Sequence, residues 1–536
     1  MSTSSWPLAV RSSSPRQAAV ADPLRGRPGI LVVGAGPAGL ALAVQAHDHG
    51  AGVRVIERRP AAFRPSRALI LHARTLEVLR PLGVTDRLLT RADTAPAVDL
   101  RLGSRVVRVS LADLALPDTA FPHLSLIRQM DVETVLAQAL ADRGVAVERG
   151  TELVGLRADA DGVRAVLRSH DAVTEARFGF VAGCDGPAST VRAVAGVGWP
   201  GRPYPVEVVL ADADLDADLA GDVAHVLAGR RGLLFAFPLG ELATWRLLAT
   251  RPAVADPVPF GQPGPPVPVA ELQALVEQAG LGAQITRLAW SARVRLQYRV
   301  ASQFRAGRLF LAGDAAHAYS PATGQGMNAA IQDAANLGWK LAFAAARPNS
   351  AVLLDSYDFE RRPVARQVLG MSHLAFWAEA APGCIASALR SRVAPLAAPL
   401  VPEVMARRHL VAAGIRVLSQ LAVDYRGSPL SMVGAPWAPG QPRAGDRLPD
   451  RTVTADGRSV RLHEFLAQPG VHVLLDRDAT APGIGAAQCP LISVHRLTSS
   501  PGCGLTVVRP DGYIGLRTDI ADGPKLDTWL KLVVPC

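Results

Sequence analysis

Apolar runs alternate with helical patterns along the first part of the chain. Residues 30–33 form a short apolar run that predicts a buried strand, a helical pattern continues to Gly50, and residues 53–56 predict a second strand that ends at Glu57. Strands that alternate with helices are typical of a parallel sheet. The pattern therefore predicts an α/β domain over residues 29–202, to which the chain returns at 297–425.

The pattern changes between residues 203 and 296. Four strand-like runs occur there, at 206–211, 232–237, 245–249 and 288–296, with a Pro-rich stretch at 252–268 that predicts a loop. The last run alternates arginine with aliphatic residues, as a half-buried strand does. We therefore expect an antiparallel sheet domain over residues 203–296, and a separate unit over residues 426–536.

A glycine-rich turn follows the first predicted strand. Gly34, Gly36 and Gly39 form a G-x-G-x-x-G pattern in which the first glycine makes the tight turn, the second lets a pyrophosphate approach the backbone, and the third lets the helix pack on the strand. Glu57 lies 23 residues after Gly34, where an acidic side chain can bind ribose hydroxyls. Together with the flanking elements, this spacing predicts a dinucleotide-binding site.

Two further segments place an acidic residue directly after a predicted strand. In residues 309–341 an apolar strand leads to Gly313 and Asp314, then to a loop rich in proline and glycine, then to a helical pattern from about Met327. In residues 180–192 a strand leads to Asp185 and then to a helix. Such turns can hold a polar ligand with a sugar-like part at a helix N-terminus.

The three segments together resemble the FAD-dependent aromatic hydroxylases, which are class A flavoprotein monooxygenases of the para-hydroxybenzoate and phenol hydroxylase type. The resemblance covers roughly residues 29–430. It implies a Rossmann-like FAD/NAD(P)-binding domain and an antiparallel-sheet substrate domain. The last unit resembles the thioredoxin-like C-terminal domain of the phenol hydroxylase branch, without its redox cysteine pair. Arginine-rich, lysine-poor usage and length suggest the polyketide-tailoring branch.

The resemblance also implies a set of site residues. It places Arg67 and Pro321 beside the isoalloxazine as the catalytic candidates, and gives His317 a structural role. Thr323 and Ala330 stand where the family frequently has glycine. The implied cofactor-binding residues are Gly34, Gly36, Pro37, Ala38, Gly39, Glu57, Arg58, Arg67, Gln129, Asp185, Gly313, Asp314, Gly324, Gly326, Met327 and Asn328. Four aromatic residues are candidates for either the pocket lining or the core, namely Phe235, Phe237, Trp245 and Trp290.

The function implied by the resemblance is NADPH- and O2-dependent hydroxylation of a polycyclic, polyketide-type phenol or quinone through a flavin C4a-hydroperoxide, with FAD held noncovalently. Three alternatives stay open: Baeyer–Villiger oxidation, inactivation of an antibiotic, and FAD binding without oxygenation. A flavin halogenase is disfavoured because no W-x-W-x-I-P motif occurs.

Charge and composition disfavour several other classes of protein. The formal net charge is +10, but four arginines and one aspartate of residues 1–28 supply +3 of it, and no dense basic block follows, which disfavours nucleic-acid binding. Residues 1–28 lack an apolar core and predict a disordered tail rather than a signal peptide. No membrane-spanning run occurs. The five cysteines form no C-x-x-C pair, so we expect no metal site, no disulfide framework and a cytoplasmic location, with a homodimer left open.

Overall fold

The computed structural model describes residues 29–535, except 63–67, 103–104, 171, 230–231, 239, 241, 255–258, 261–262, 348–349, 381–384, 386–387, 435–440, 456 and 481–488. The predicted tail at 1–28 and the predicted site residue Arg67 lie outside the described residues.

A six-stranded, mostly parallel sheet forms the centre of the α/β part. Its strand order is Arg305–Ala306, Leu309–Leu311, Phe180–Gly183, Ile30–Val33, Val53–Glu57 and Val147–Arg149. The five strands other than Arg305–Ala306 run parallel, so their carboxyl ends meet at one edge. The glycine-rich turn and the two acidic turns predicted from sequence therefore follow neighbouring strands at that edge, where open α/β sheets bind their ligands.

An eight-stranded sheet contains the four strands predicted in the middle region, three of them longer than predicted. Its order is His317–Ala318, Gln284–Val300, Gly201–Asp216, Trp245–Pro252, Gly232–Phe237, Val223–Gly229, Ala97–Leu102 and Arg105–Ser110. The last two strands come from within residues 29–202, and Ala97–Leu102 pairs in parallel with Val223–Gly229. One face of this sheet packs apolar residues such as Trp245 and Leu247 against the helix Val269–Ala279.

Helices cover both sheets. The long ones are the first helix (Pro37–Asp48), the loop helix (Gln325–Ala345) and the long helix (Ala351–Ala380), which contains Pro363. The other α-helices are Ala73–Leu79, Thr85–Leu89, Gln129–Ala141, Thr190–Val194, Val269–Ala279, Ala394–Ala397, Leu400–Ala406, Arg408–Leu418, Leu462–Phe465 and Gly523–Val533. A three-stranded antiparallel sheet is formed by Thr151–Ala158, Val163–Ser169 and Ala172–Phe178.

The C-terminal part forms a seven-stranded mixed sheet. Its order is Met432–Val433, Ile514–Thr518, Leu505–Val508, Val471–Asp476, Ile492–Leu497, Thr452–Ala455 and Arg458–Arg461. Its likeness to thioredoxin stays a prediction. Buried ion pairs join it to the α/β part, because Glu360 of the long helix accepts hydrogen bonds from both Lys340 and Arg509 at 2.7 Å.

The cysteines depart from expectation at one position. Cys184 and Cys503 are free thiols, but Cys489 is disulfide-bonded. We expected no disulfide framework, and the bond at Cys489 departs from that expectation, because pairing depends on proximity in the folded chain and the C-x-x-C spacing that was sought reports only local pairs.

Candidate functional site

The glycine-rich turn is as tightly built as its sequence predicts. Gly34 has φ +102°, and a Cβ there would lie 2.3 Å from the carbonyl oxygen of Cys184. A Cβ on Gly39 would lie 1.9 Å from the carbonyl oxygen of Gly34, so the first helix packs directly on the turn. Around a Cβ on Gly36, no described atom lies within 4 Å. Two glycines thus permit close packing, and the third leaves open space at the turn.

Glu57 closes the turn from the end of the neighbouring strand. Its Oε2 accepts a hydrogen bond from the backbone N–H of Ala35 at 3.0 Å, and its Oε1 accepts one from Arg59 N–H at 3.0 Å. These two bonds fix the carboxylate beside the glycine turn. A carboxylate has about four acceptor positions, so capacity for ribose hydroxyls remains.

Two helices begin at the same site without a capping side chain. The first helix starts after Gly36, and the loop helix starts after Gly324, which has φ +61°. Among the described residues, no side chain hydrogen-bonds to the N-terminal N–H groups of either helix. Uncapped helix N-termini carry open donors and a partial positive charge, and therefore favour anionic ligand groups.

Asp185 has two different environments at its two carboxylate oxygens. Its Oδ2 accepts hydrogen bonds from Thr190 N–H at 2.7 Å and Val191 N–H at 3.2 Å. Its Oδ1 is buried and has no hydrogen-bond partner within the described part of the chain. Burial raises the pKa of Asp185, and these hydrogen bonds oppose that shift. Asp185 thus holds the start of a helix and offers one oxygen to a ligand.

A buried ion-pair network is hydrogen-bonded to Gly313, the residue before Asp314. Asp333 of the loop helix accepts from Gly313 N–H at 3.1 Å and from Arg361 Nε at 2.7 Å, and its Oδ2 lies 2.5 Å from His317 Nε2. Burial alone would raise the pKa of Asp333, but the charges of His317 and Arg361 outweigh it and lower the pKa. His317 is therefore bonded to a buried carboxylate, and its structural role stays a prediction.

Asn328 and Gln129 use their side chains within the protein. The Asn328 amide donates to the carbonyl oxygens of Ile70 and Gly324, and its Oδ1 accepts from His72 N–H and Thr75 Oγ1 at 2.7 to 2.9 Å. All four hydrogen-bonding positions of this side chain are therefore occupied. Gln129 accepts from Ala68 N–H at 3.3 Å and donates to Glu133 at 2.8 Å.

A cavity of about 360 Å³ joins these features to the eight-stranded sheet. Most of the predicted site residues line it, namely Gly34, Gly36, Pro37, Ala38, Glu57, Arg58, Gln129, Asp185, Asp314, Pro321, Gly324, Gly326 and Met327. Its other end is lined by the sheet, with the apolar residues Val208, Leu210, Phe237, Leu248, Val294 and Leu296 beside the polar residues Arg295 and Gln297. One cavity thus contains a polar dinucleotide end and a largely apolar end.

Some of the predicted residues do not line the cavity. Gly39 and Gly313 serve packing instead, since a Cβ on Gly313 would lie 3.1 Å from the side chains of Ala38 and Ala330. Asn328 is likewise a structural residue by its contacts. Of the four aromatic candidates, Phe237 lines the cavity and stacks on Phe235, Trp245 lies in the core on the other face of the sheet, and Trp290 packs beside the lining residues.

Several residues that line the cavity were not predicted from the sequence. Arg295 was predicted only as part of the half-buried strand at 288–296, and Gln297 and Glu133 were not considered. The spacing of Gln129 and Glu133 is four residues on one helix, which places them on the same face, so this pair was open to prediction. The hydrogen bond from Arg192 to the carbonyl oxygen of Ala315 had no such signal.

Comparisons with known proteins all point to one family. The model of the family described as "FAD binding domain" matches residues 28–372. The chain is 34% identical over 509 residues to anhydrotetracycline monooxygenase of Streptomyces rimosus, covering 90% of this chain and 94% of that protein. It is 35% identical over 415 residues to 6-methylpretetramide 4-monooxygenase of the same organism, covering 75% and 71% respectively.

Solved structures agree over nearly the whole chain. The anhydrotetracycline hydroxylase OxyS of Streptomyces rimosus has a TM-score of 0.74 at 28% identity, covering 95% of this chain and 99% of that chain. CabE, an aromatic hydroxylase from angucycline biosynthesis, has a TM-score of 0.74 at 26% identity, covering 95% and 100%. The open space at Gly36, the uncapped helices and the unpaired Asp185 Oδ1 fit FAD. The chain belongs to the FAD-dependent aromatic monooxygenases that share this FAD binding domain.

Proposed function

We propose that this protein hydroxylates a polycyclic, polyketide-type phenol or quinone, with FAD held noncovalently, NADPH as the reductant and O2 as the oxygen source. The observation that carries the proposal is the single cavity that runs from the glycine turn to the apolar face of the eight-stranded sheet. Such a cavity brings a flavin and an aromatic ring into one space.

Different groups of the chain would bind different parts of FAD. The backbone around Gly36 and the N-terminus of the first helix would take the pyrophosphate, Glu57 would take the adenosine ribose, and Asp314 would take the ribityl hydroxyls. The N-terminus of the loop helix would stabilise negative charge on the reduced ring. Bound FAD supplies the activation of oxygen, so no side chain has to carry that chemistry.

The apolar end of the cavity supports a large, flat substrate. Aliphatic residues of three neighbouring strands line it, and Phe237 of the next strand offers an aromatic face. Arg295 and Gln297 add hydrogen-bonding groups that can orient phenolic or quinone oxygens. An apolar lining also limits the access of water, which favours transfer of oxygen to the substrate over release of hydrogen peroxide.

Relatives that act on polycyclic compounds support the substrate class. The two relatives from Streptomyces rimosus are named for anhydrotetracycline and 6-methylpretetramide. Aklavinone-11 hydroxylase, solved with FAD and aklavinone, has a TM-score of 0.73 at 25% identity, covering 95% of this chain and 99% of that chain.

A second candidate is modification of an antibiotic, including Baeyer–Villiger insertion. Its support is a relative named rifampicin monooxygenase from Streptomyces venezuelae, 36% identical over 343 residues, which cover 63% of this chain and 69% of that protein. The shorter coverage favours the first candidate. FAD binding without oxygenation predicts no substrate-dependent oxidation of NADPH, and membership of the monooxygenase family disfavours it.

The test incubates the FAD-loaded protein with NADPH, 18O2 and a panel of anthraquinones, naphthacenes and rifamycins. Hydroxylation predicts a product heavier by one labelled oxygen with every ring intact. A ring-expanded lactone or a cleaved ring would support Baeyer–Villiger oxidation instead. Parallel reactions with NADH test the preference for the phosphorylated nucleotide.

We further propose a cytoplasmic protein, free of nucleic acid, that can form a homodimer. Among the described helices, none has the length and apolar character needed to cross a bilayer. The domain division at residues 29–202 with 297–425, 203–296 and 426–536, and the thioredoxin-like character of the last unit, are part of the same proposal.

A further inference from the structure

Thr323 lies in the loop at residues 320–326, at a position where the aromatic hydroxylases that the chain resembles have glycine. Its neighbours Ser320, Pro321 and Gly324 line the cofactor cavity, and Thr323 does not. Its Oγ1 lies 2.8 Å from the Oγ of Ser372, which is in the long helix. The additional hydroxyl therefore connects the loop to a neighbouring helix.

A second hydrogen bond joins the same two elements. The hydroxyl of Ser320 donates to the carbonyl oxygen of Ser372 at 2.9 Å, and both serines are buried. Ser320 precedes the short 3-10 turn Pro321–Thr323, Thr323 is its last residue, and Gly324 joins it to the loop helix. Both ends of this turn are thus bonded to one residue.

The long helix is a fixed support for these bonds. The hydroxyl of Tyr357 donates to the carbonyl oxygen of Leu311 at 2.7 Å, and Arg361 donates to Asp333 of the loop helix at 2.7 Å. These contacts join the long helix to the strand that leads to Gly313 and to the loop helix. The position of the loop is therefore set relative to the other parts of the cofactor site.

The residue next to Ser372 contacts the eight-stranded sheet. His373 Nδ1 lies 3.3 Å from the hydroxyl of Tyr204, and its ring centroid lies 4.7 Å from that of Tyr298. One turn of the long helix thus packs against the loop on one side and against the sheet on the other. Movement of this turn is restricted from both directions.

We propose that Thr323 and Ser372 are positioning residues, whose hydroxyl pair holds the 320–326 loop and the N-terminus of the loop helix in place against bound FAD. The inference rests on the FAD site of the family and is independent of the substrate. Loss of the pair frees the turn, so FAD binds more weakly and the surroundings of the isoalloxazine change. A neutral hydrogen bond of this kind corresponds to a roughly two- to tenfold change in affinity.

The variant Thr323→Val tests the pair, since it keeps the β-branched shape and removes the hydroxyl. Apoprotein is titrated with FAD by quenching of flavin fluorescence, and the visible circular dichroism and midpoint potential of bound FAD are recorded. We expect a two- to tenfold higher Kd together with altered dichroism or potential. Thr323→Ser retains both, whereas Thr528→Val, which removes an exposed hydroxyl from the helix Gly523–Val533, changes neither.

Ser372→Ala removes the same bond from the other side and keeps the carbonyl that Ser320 uses. We expect the same loss as in Thr323→Val, and no further loss in the double variant, because the two changes remove one interaction. Additive losses would overturn the proposal. Wild-type affinity and spectra in Thr323→Val would also overturn it, as would a weaker affinity with unchanged dichroism and potential, which would indicate a role in stability alone.

Discussion

Arg192 donates from Nη1 to the carbonyl oxygen of Ala315 at 2.8 Å, although 123 residues separate them in the chain. Its Nη2 donates to the carbonyl oxygen of Pro187 at 2.6 Å, and its guanidinium lies 3.9 Å from the ring centroid of Trp199. The two acceptors belong to the turns that carry Asp314 and Asp185. A single side chain therefore fixes the distance between two of the cofactor-binding turns.

Replacing Arg192 with lysine tests this bridge. A lysine keeps the charge but not the planar fork that reaches both carbonyl oxygens and stacks on an indole. We expect unfolding free energy to fall by about 2 kcal/mol and FAD affinity to fall with it. Urea unfolding and FAD titration measure the two effects. Arg164→Lys, in an exposed pair with Glu175, is the control and should stay within about 0.5 kcal/mol. Unchanged FAD affinity in Arg192→Lys would contradict the bridge.

Gly36 and Gly39 should respond differently to a side chain. Gly36→Val enters open space, so the apoprotein should keep its unfolding temperature but fail to retain FAD. Gly39→Ala meets the Gly34 carbonyl oxygen at 1.9 Å, so the fold itself should be destabilised. Calorimetry of the apoproteins and FAD titration separate the two outcomes. Retention of FAD by a folded Gly36→Val protein would place the pyrophosphate elsewhere.

Glu57→Ala should weaken FAD binding without unfolding the protein. The loss of charge-assisted hydrogen bonds corresponds to roughly 1.5–3 kcal/mol, or about ten- to hundredfold in Kd. Part of this loss arises in the protein, because Ala35 N–H loses its acceptor. Glu175→Ala, at an exposed ion pair, is the matched control and should bind FAD like the unaltered protein. Equal affinities for Glu57→Ala and the control would exclude the carboxylate from the site.

The protonation of His72, which lies close to Gly324 of the 320–326 loop, should make the stability of the protein depend on pH. Burial lowers the pKa of His72 from 6.5 to about 4, despite its hydrogen bond to the Leu418 carbonyl oxygen. The unfolded chain then binds more protons between these values, so stability is fully present above pH 6.5 and is lost as pH falls towards 4. Between pH 7 and 5 this group should cost about 2 kcal/mol of unfolding free energy.

The measurement is urea unfolding at pH 7 and pH 5. His72→Gln should reduce the difference between the two pH values by its share, whereas the exposed His409→Gln should leave it unchanged. If His72→Gln loses as much unfolding free energy between pH 7 and pH 5 as the unaltered protein, the acid sensitivity arises from other groups. One such group is His472, because burial also lowers its pKa to about 4.

Local patterns predicted the polar end of the site. The glycines at 34, 36 and 39, the acidic residues at 57, 185 and 314, and the loop at 320–326 each follow a strand, and a parallel sheet brings the ends of its strands to one edge. Strand types in the middle region also followed from alternation and apolar runs. In both cases the predicted features depend on residues that are close together along the chain.

Contacts between distant segments were beyond such patterns. The strand at 97–102 joins the eight-stranded sheet through pairing with 223–229, and nothing local in either segment specifies this partner. The cofactor role predicted for the backbone N–H of Asn328 stays a prediction, but the bonds of its side chain had no local signal, because the amide is used by Ile70, His72 and Thr75, which lie more than 250 residues away. The Thr323–Ser372 hydrogen bond was not predictable for the same reason, because it forms only where the long helix packs against the 320–326 loop.

The most direct test of the proposed function is incorporation of labelled oxygen. FAD-loaded protein is given NADPH, 18O2 and a polycyclic phenol, and NADPH oxidation, hydrogen peroxide and product mass are followed together. We expect NADPH oxidation to be stimulated by the phenol and the product to carry one 18O atom on an intact ring system. Oxidation of NADPH that no aromatic compound stimulates, with all oxygen recovered as hydrogen peroxide, would contradict the account.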